Sequence, residues 1–187
     1  MKLTDLINKK DYSTDKNTTH SYLEFYDSIF SDLRDMELNI LEIGTGCGGA
    51  TELWSDYFHK SKIYGIEINA HSNLERLNQK ENIEVYQNTN ACLTQTISMF
   101  EEIDKKFDII IDDASHSLSS QMFTCREWTR FLNTNGILVI EDIANISYSH
   151  QIIESLPEDM RKSAKVEDRR SIKNRYDDIL ITAIKEN

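Results

Sequence analysis

Two stretches of this chain run from apolar residues straight into groups that can carry acid–base or metal chemistry. Phe107-Asp108-Ile109-Ile110-Ile111 leads into Asp112, Asp113 and then His116, and Gly136-Ile137-Leu138-Val139-Ile140 leads into Glu141 and Asp142. Short, uninterrupted aliphatic runs are what a strand buried on both faces requires. Neighbouring parallel strands lie about 4.8 Å apart, and in an open α/β sheet their carboxyl ends face the ligand crevice. The carboxylates would then meet at one point and repel. A hard cation with oxygen ligands relieves that repulsion and leaves positions open for substrate oxygens; Mg²⁺ is the natural choice, and Mn²⁺ accepts the same ligands. A histidine beside such a cation suits removal of a proton from a hydroxyl at neutral pH, and a metal-bound hydroxyl loses its proton more easily. The plainer alternative is that His116 caps or packs on the following helix while the acids are solvated.

A second constellation lies upstream. Four of the six glycines fall within Leu41-Glu42-Ile43-Gly44-Thr45-Gly46-Cys47-Gly48-Gly49, between an apolar run and a helical segment. Such a loop turns sharply and lets a ligand approach the backbone. Gly44, Gly46 and Gly49 also fit the dinucleotide pattern G-x-G-x-x-G, a weak match by itself. Farther on, Tyr64-Gly65-Ile66 ends at Glu67, where an acid can accept both hydroxyls of a ribose. A tight strand–helix turn without a ligand, and a merely solvated Glu67, are the bland readings.

Behind these residues stand elements that must position them. Apolar runs at Asn39–Ile43, Lys62–Ile66, Ile83–Tyr86, Phe107–Ile111, Ile137–Ile140 and Ile179–Ile184 read as strands. Between them, amphipathic stretches near 49–58, 72–79, 92–104, 117–132 and 148–155 read as helices. Strands alternating with helices imply parallel pairing through right-handed crossovers, with both sheet faces covered. Lys165–Glu167 and Ile179–Ile184, separated by a polar stretch, predict a terminal antiparallel pair. The expected fold is thus α/β, a doubly wound, mostly parallel sheet of seven strands. An N-terminal helical segment within residues 1–35 is expected to open at Thr18 or Thr19 and to bury Tyr22, Phe25, Tyr26, Ile29, Phe30 and Leu33.

Composition narrows the classes. With 187 residues the chain is expected to form one domain. A formal charge of −11 is a poor match to nucleic acid, whose binding draws on phosphate neutralisation. There is no long apolar run for a membrane span and no apolar core of a secretory signal. Cys47, Cys92 and Cys125 lack paired or metal-type spacing, which fits reduced thiols and a cytoplasmic location; Cys92 and Cys125 are expected to pack in helices.

Glu42-x-Gly44-x-Gly46-x-Gly48 resembles the first motif of class I methyltransferases, which bind S-adenosyl-L-methionine (SAM). From Thr14 onward the chain resembles the metal-dependent sugar O-methyltransferases of the mycinamicin type and cephalosporin-hydroxylase-like domains. The matching pieces are Thr14-Asp15-Lys16 with His20 and Tyr22, Leu41–Gly49, Trp54 with Tyr57-Phe58, Ile63–Glu67, Asp112–His116 and Gly136–Asp142. That resemblance implies a Rossmann-like methyltransferase fold and transfer of a methyl group from SAM to a hydroxyl of a sugar, glycan or natural-product intermediate. It implies Asp113, Glu141 and Asp142 as ligands of Mg²⁺ or Mn²⁺, and His116 as the base. Glu42, Gly44, Thr45, Gly46, Glu67, Asn88, Asp112, Lys16 and His20 would contact the cofactor, with Thr14–His20 as a lid; from the residues alone that segment also reads as a helix-capping turn. The chain departs from the family pattern at Ala114, where glycine is usual, and at Gln87-Asn88-Thr89, where Gly-Asp is usual. The macrolide enzymes carry a further N-terminal domain. A catechol or phenolic O-methyltransferase, a SAM-binding module without turnover, and an NAD-dependent oxidoreductase are the other readings. The last is disfavoured because this length leaves no room for a substrate domain. A homo-oligomer is compatible with all of them.

Overall fold

A computed structural model describes residues 2–186. After helix α1 (Leu3–Ile7) and helix α2 (Leu23–Phe30), strands and helices alternate: β1 (Asn39–Ile43), α3 (Gly49–Tyr57), β2 (Lys62–Ile66), α4 (Ser72–Leu77), β3 (Ile83–Tyr86), α5 (Thr94–Ile103), β4 (Phe107–Asp112) and α6 (Leu118–Glu127). Then follow β5 (Leu132–Ile140), α7 (Tyr148–Glu154), α8 (Glu158–Arg161), β6 (Lys165–Asp168), α9 (Arg170–Lys173) and β7 (Ile179–Ile184). The seven strands form one sheet in the order β3-β2-β1-β4-β5-β7-β6. β1 to β5 are parallel, and β7 runs antiparallel to both β5 and β6. This is the doubly wound α/β fold with a terminal antiparallel pair that the alternation predicts.

Side chains alternate between the two sheet faces with the period of two that a strand imposes. Ile40, Ile109, Ile111 and Val139 pack toward α1, α2 and α3, in a layer with Tyr26, Phe30, Trp54 and Phe58. Leu41, Ile110, Leu138 and Ile140 pack toward α5, α6 and α7, with Phe100, Cys125 and Trp128. Burial on both faces is why these strands read as continuous apolar runs. The sheet order reverses between β1 and β4, where β1 leads outward to β2 and β4 to β5. Ligands of open α/β sheets bind at the carboxyl ends beside such a reversal. Register places Ile43 opposite Asp112, and Asp112 opposite Ile140, so the glycine loop and both acidic strand ends share one rim.

The N-terminal helix begins at Leu23, later than its sequence periodicity predicts. Residues before it form turns, with His20 N–H donating to the Asp15 carbonyl and Tyr22 N–H to that of Lys16. Cys125 is buried in α6 as expected, whereas Cys92 lies outside a helix and is exposed. Among the described residues no helix is long and apolar enough to cross a membrane.

Candidate functional site

A cavity of about 990 Å³ opens at the sheet reversal. Its floor is the glycine loop. Gly44 N–H donates to the Ile66 carbonyl at 2.8 Å, and Asp113 N–H to that of Ile43 at 2.9 Å, which locks the ends of β1, β2 and β4 together. At Gly44 a side chain is excluded outright: φ is +90°, and a Cβ would stand 2.2 Å from the Asp113 carbonyl oxygen. Glu67 ties the loop to the end of β2, accepting from Gly46 N–H at 2.8 Å and from Asn69 N–H at 3.0 Å. Gly44, Thr45, Gly46 and Glu67 line the cavity, together with Asp113 and with Ser13–Asp15 from the N-terminal segment.

The other residues expected at the cofactor sit elsewhere. Glu42 is buried beneath the loop and accepts from Thr51 Oγ1 at 2.5 Å and Trp54 Nε1 at 2.9 Å, fastening β1 to α3. Burial raises its carboxyl to about 7 against the charge of Lys16 and the bond from Thr51. Asp112 is buried and likewise pushed up, to about 6, by burial. Asn88 takes a left-handed turn after β3 but leaves the cavity wall to Thr89 and Asn90. Lys16 and His20 reach past the cavity to the acids.

Those acids form one network, buried at Glu141 and Asp142 and half-buried at Asp113. Lys16, 1% exposed, places Nζ 2.6 Å from Asp113 Oδ2 and 2.8 and 2.6 Å from the two oxygens of Glu141. Glu141 also accepts from the Tyr26 hydroxyl, and Asp142 from that of Tyr22. His20 Nδ1 lies 2.7 Å from Asp178 and 3.3 Å from Asp142. His116 stands between two carboxylates, Nε2 3.1 Å from Asp113 and Nδ1 3.6 Å from Asp142. Both His116 and Asp142 have left-handed backbone, φ +54° and +55°. For residues other than glycine that is an uncommon conformation, and such residues cluster at functional sites. Gln121 Nε2 donates to the carbonyl of Glu141 at 2.9 Å and holds the strand end in place.

Charges in this network follow from burial and pairing. Burial would raise Asp113, but the Lys16 charge and the bond from His116 hold it below the usual carboxylate range. Glu141 is raised by burial and by Asp113, and Asp142 is raised chiefly by burial. Burial would lower His116; its bond to Asp113 and the charges of Asp142, Asp113 and Glu141 prevail and raise it to about 9. Of the three residues expected to bind a metal, Asp113 and Asp142 converge with His116, with one donor atom from each within 4.8 Å of the others. This set fits a single divalent cation. Glu141 is instead turned to Lys16 and Tyr26.

Sequence reasoning missed Asp178, Tyr26 and Gln121. Asp178 precedes the apolar run of an antiparallel strand, so the start of β7 shares a rim with the ends of β1 to β5; the antiparallel pairing was the clue. Tyr22, at the N-terminal cap of α2, and Tyr26 within it read as core apolar residues because their hydroxyls leave no trace in hydrophobic periodicity.

Residues 34–183 match the family model described as methyltransferase domain. Among curated proteins, Demethylmacrocin O-methyltransferase of Streptomyces fradiae is 31% identical over 140 residues, covering 71% of this chain and 34% of that protein. Mycinamicin VI 2''-O-methyltransferase of Micromonospora griseorubida is 29% identical over 131 residues, covering 66% and 32%. The chain thus spans about a third of the length of these relatives. The MycE methyltransferase of the mycinamycin biosynthetic pathway, solved in complex with Mg, SAH and mycinamycin VI, shares the fold with a TM-score of 0.75 at 19% identity. That likeness covers 100% of this chain and 55% of the other. The family match spans β1 to β7 and includes the glycine loop and both acidic strand ends: the chain belongs to the methyltransferase domain family.

Proposed function

We propose that this chain is a SAM-dependent O-methyltransferase acting on a hydroxyl of a sugar, glycan or natural-product intermediate. One observation carries the reading: the cavity over the glycine loop is walled by Asp113 and Ser115, and His116 adjoins that wall between two carboxylates. Cofactor and proton acceptor therefore meet at a single strand end. In this reading Glu67, at the close of β2, would accept ribose hydroxyls, and Gly44–Gly46 would pass beneath the amino-acid portion of the cofactor; all line the cavity. Methyl transfer asks chiefly that the attacking oxygen be held in line with the sulfonium methyl, which is a positioning task. In its neutral form, which a cation on Asp113 and Asp142 would favour by offsetting the carboxylate charges that raise it, His116 would take the proton of the acceptor hydroxyl. A divalent cation held at Asp113 and Asp142 would lower the pKa of that hydroxyl. The names of the relatives support a natural-product hydroxyl as acceptor, and Cys47 and Cys92 free of disulfides agree with a cytoplasmic location.

Calorimetric titration with S-adenosylhomocysteine, once with Mg²⁺ and once with EDTA, tests the reading. Saturable micromolar binding (on the order of 8 kcal/mol) is expected in at least one condition. No binding in either refutes it and moves the glycine loop to a nucleotide such as NAD.

A further inference from the structure

The acidic strand ends carry their own countercharge. Lys16 is as buried as the core aromatics, and its ammonium bonds Asp113 and both oxygens of Glu141. A divalent cation held by Asp113 and Asp142 would share the Asp113 carboxylate with that ammonium. Two positive charges on one carboxylate repel, and around the buried Lys16 ammonium little solvent screens them. We infer that Lys16 and a divalent cation compete for Asp113, so that Lys16 sets the affinity of the site and loading of the cation loosens the N-terminal segment. This rests on the cation set proposed above.

The segment is built to report such an exchange. Lys16 is its deep anchor on the strand ends, while its neighbours Ser13–Asp15 form part of the cavity wall. Its other fastenings are His20 Nδ1 to Asp178 at 2.7 Å on the same rim and, from the opposite direction, Lys173 Nζ held by the carbonyls of Asn17 and His20 and Arg169 Nε donating to the Ser21 carbonyl at 2.8 Å. With Lys16 released from Asp113, residues 16–20 keep these ties but lose the one at Lys16, so the loosening should be greatest at residues 16–18. Glu141 can then turn from Lys16 toward the cation, which would bring it into the ligand set that the sequence resemblance implies.

Mn²⁺ binding, followed by paramagnetic resonance and calorimetry, compares the wild type with Lys16→Met, which keeps the aliphatic stem and removes the charge. Lys16→Met is expected to bind Mn²⁺ at least about tenfold more tightly. Equal or weaker affinity, or no Mn²⁺ binding by either protein, overturns the inference. Should Lys16→Met fail to fold, hydrogen exchange of the wild type decides. Saturating Mn²⁺ without cofactor should speed exchange at residues 16–20; unchanged or slower exchange there overturns the competition. S-adenosylhomocysteine titrated into the same samples reports separately: its failure to bind, with the Mn²⁺ competition intact, would count against the transferase reading alone.

Discussion

Gly44→Ala tests whether the glycine loop and the end of β4 are one mechanical unit. A left-handed backbone costs an alanine about 1 kcal/mol or more. The added methyl would also stand 2.2 Å from the Asp113 carbonyl oxygen and 2.5 Å from Ala114 Cα, both backbone atoms that cannot rotate aside. Forcing such an overlap apart costs about 2 kcal/mol. The sum, about 3 kcal/mol, corresponds in a domain of this size to a fall in Tm of about 10 °C. The relief must come from the Asp113–Ala114 backbone, so the cavity wall and His116 shift with it. Gly46→Ala is the control: its methyl meets nothing within 4 Å and bears the left-handed cost alone, lowering Tm by only about 3 °C. Scanning calorimetry gives both melting temperatures. Gly44→Ala should also weaken S-adenosylhomocysteine about tenfold or more, measured well below its Tm. A Gly44→Ala protein melting within about 2 °C of Gly46→Ala would refute the coupling.

His116→Ala is expected to keep S-adenosylhomocysteine affinity while losing about 100-fold or more in turnover with any accepted sugar; lost cofactor affinity would remove His116 from the base role. Glu42→Gln keeps an acceptor for Trp54 and a group for Thr51, so it should unfold within about 1 kcal/mol of wild type, whereas Glu42→Ala strands both donors and should cost about 3 kcal/mol by urea denaturation. Glu52 is held down to about 2: burial opposes this, but Lys10, Lys80 and Arg76 outweigh it. Since its folded pKa lies below the usual 4.5, its stabilisation is complete above that pH and is lost as pH falls toward about 2. Glu52→Gln should lower stability at neutral pH by about 1–2 kcal/mol and flatten its decline in acid; an unchanged acid profile would show the ion pairs to be inert.

The strands were legible because burial on both faces leaves little but aliphatic residues. Asn39–Ile43, Lys62–Ile66 and Ile83–Tyr86 fall where the apolar runs place them. β5 was legible only in its second half: it starts at Leu132, and Asn133 and Asn135 carry no apolar signal. Asn133 instead donates to Asp108 at 2.7 Å, and Asn135 makes a left-handed kink. Hydrophobic spacing extended the N-terminal helix back to Thr18, but Lys16 and His20 can reach the acids only if residues 15–20 turn instead. At the site, carboxylate crowding was correctly expected from neighbouring strand ends. Its resolution by a buried lysine was not, because a pattern of residue types says what gathers at a rim and not which cation arrives first.

The pairings at the site span almost the whole chain: Lys16 to Glu141 is 125 residues, Tyr22 to Asp142 is 120, and His20 to Asp178 is 158. A ribosome releasing this protein from its N-terminus therefore presents Lys16, His20 and Tyr22 long before any partner exists. Until β5 emerges Lys16 lacks Glu141, and until β7 approaches His20 lacks Asp178, so a lysine and a histidine destined for the interior wait in water. Contacts this distant in sequence are slow to close. The parallel strands β1 to β4 can pair first, while the charged centre is completed last, when residues 16–22 and the start of β7 meet at the rim of the sheet. Deleting residues 16–22 would thus leave the acids of the sheet without their buried partners, and a nascent chain stalled before Asp178 would leave His20 without its own.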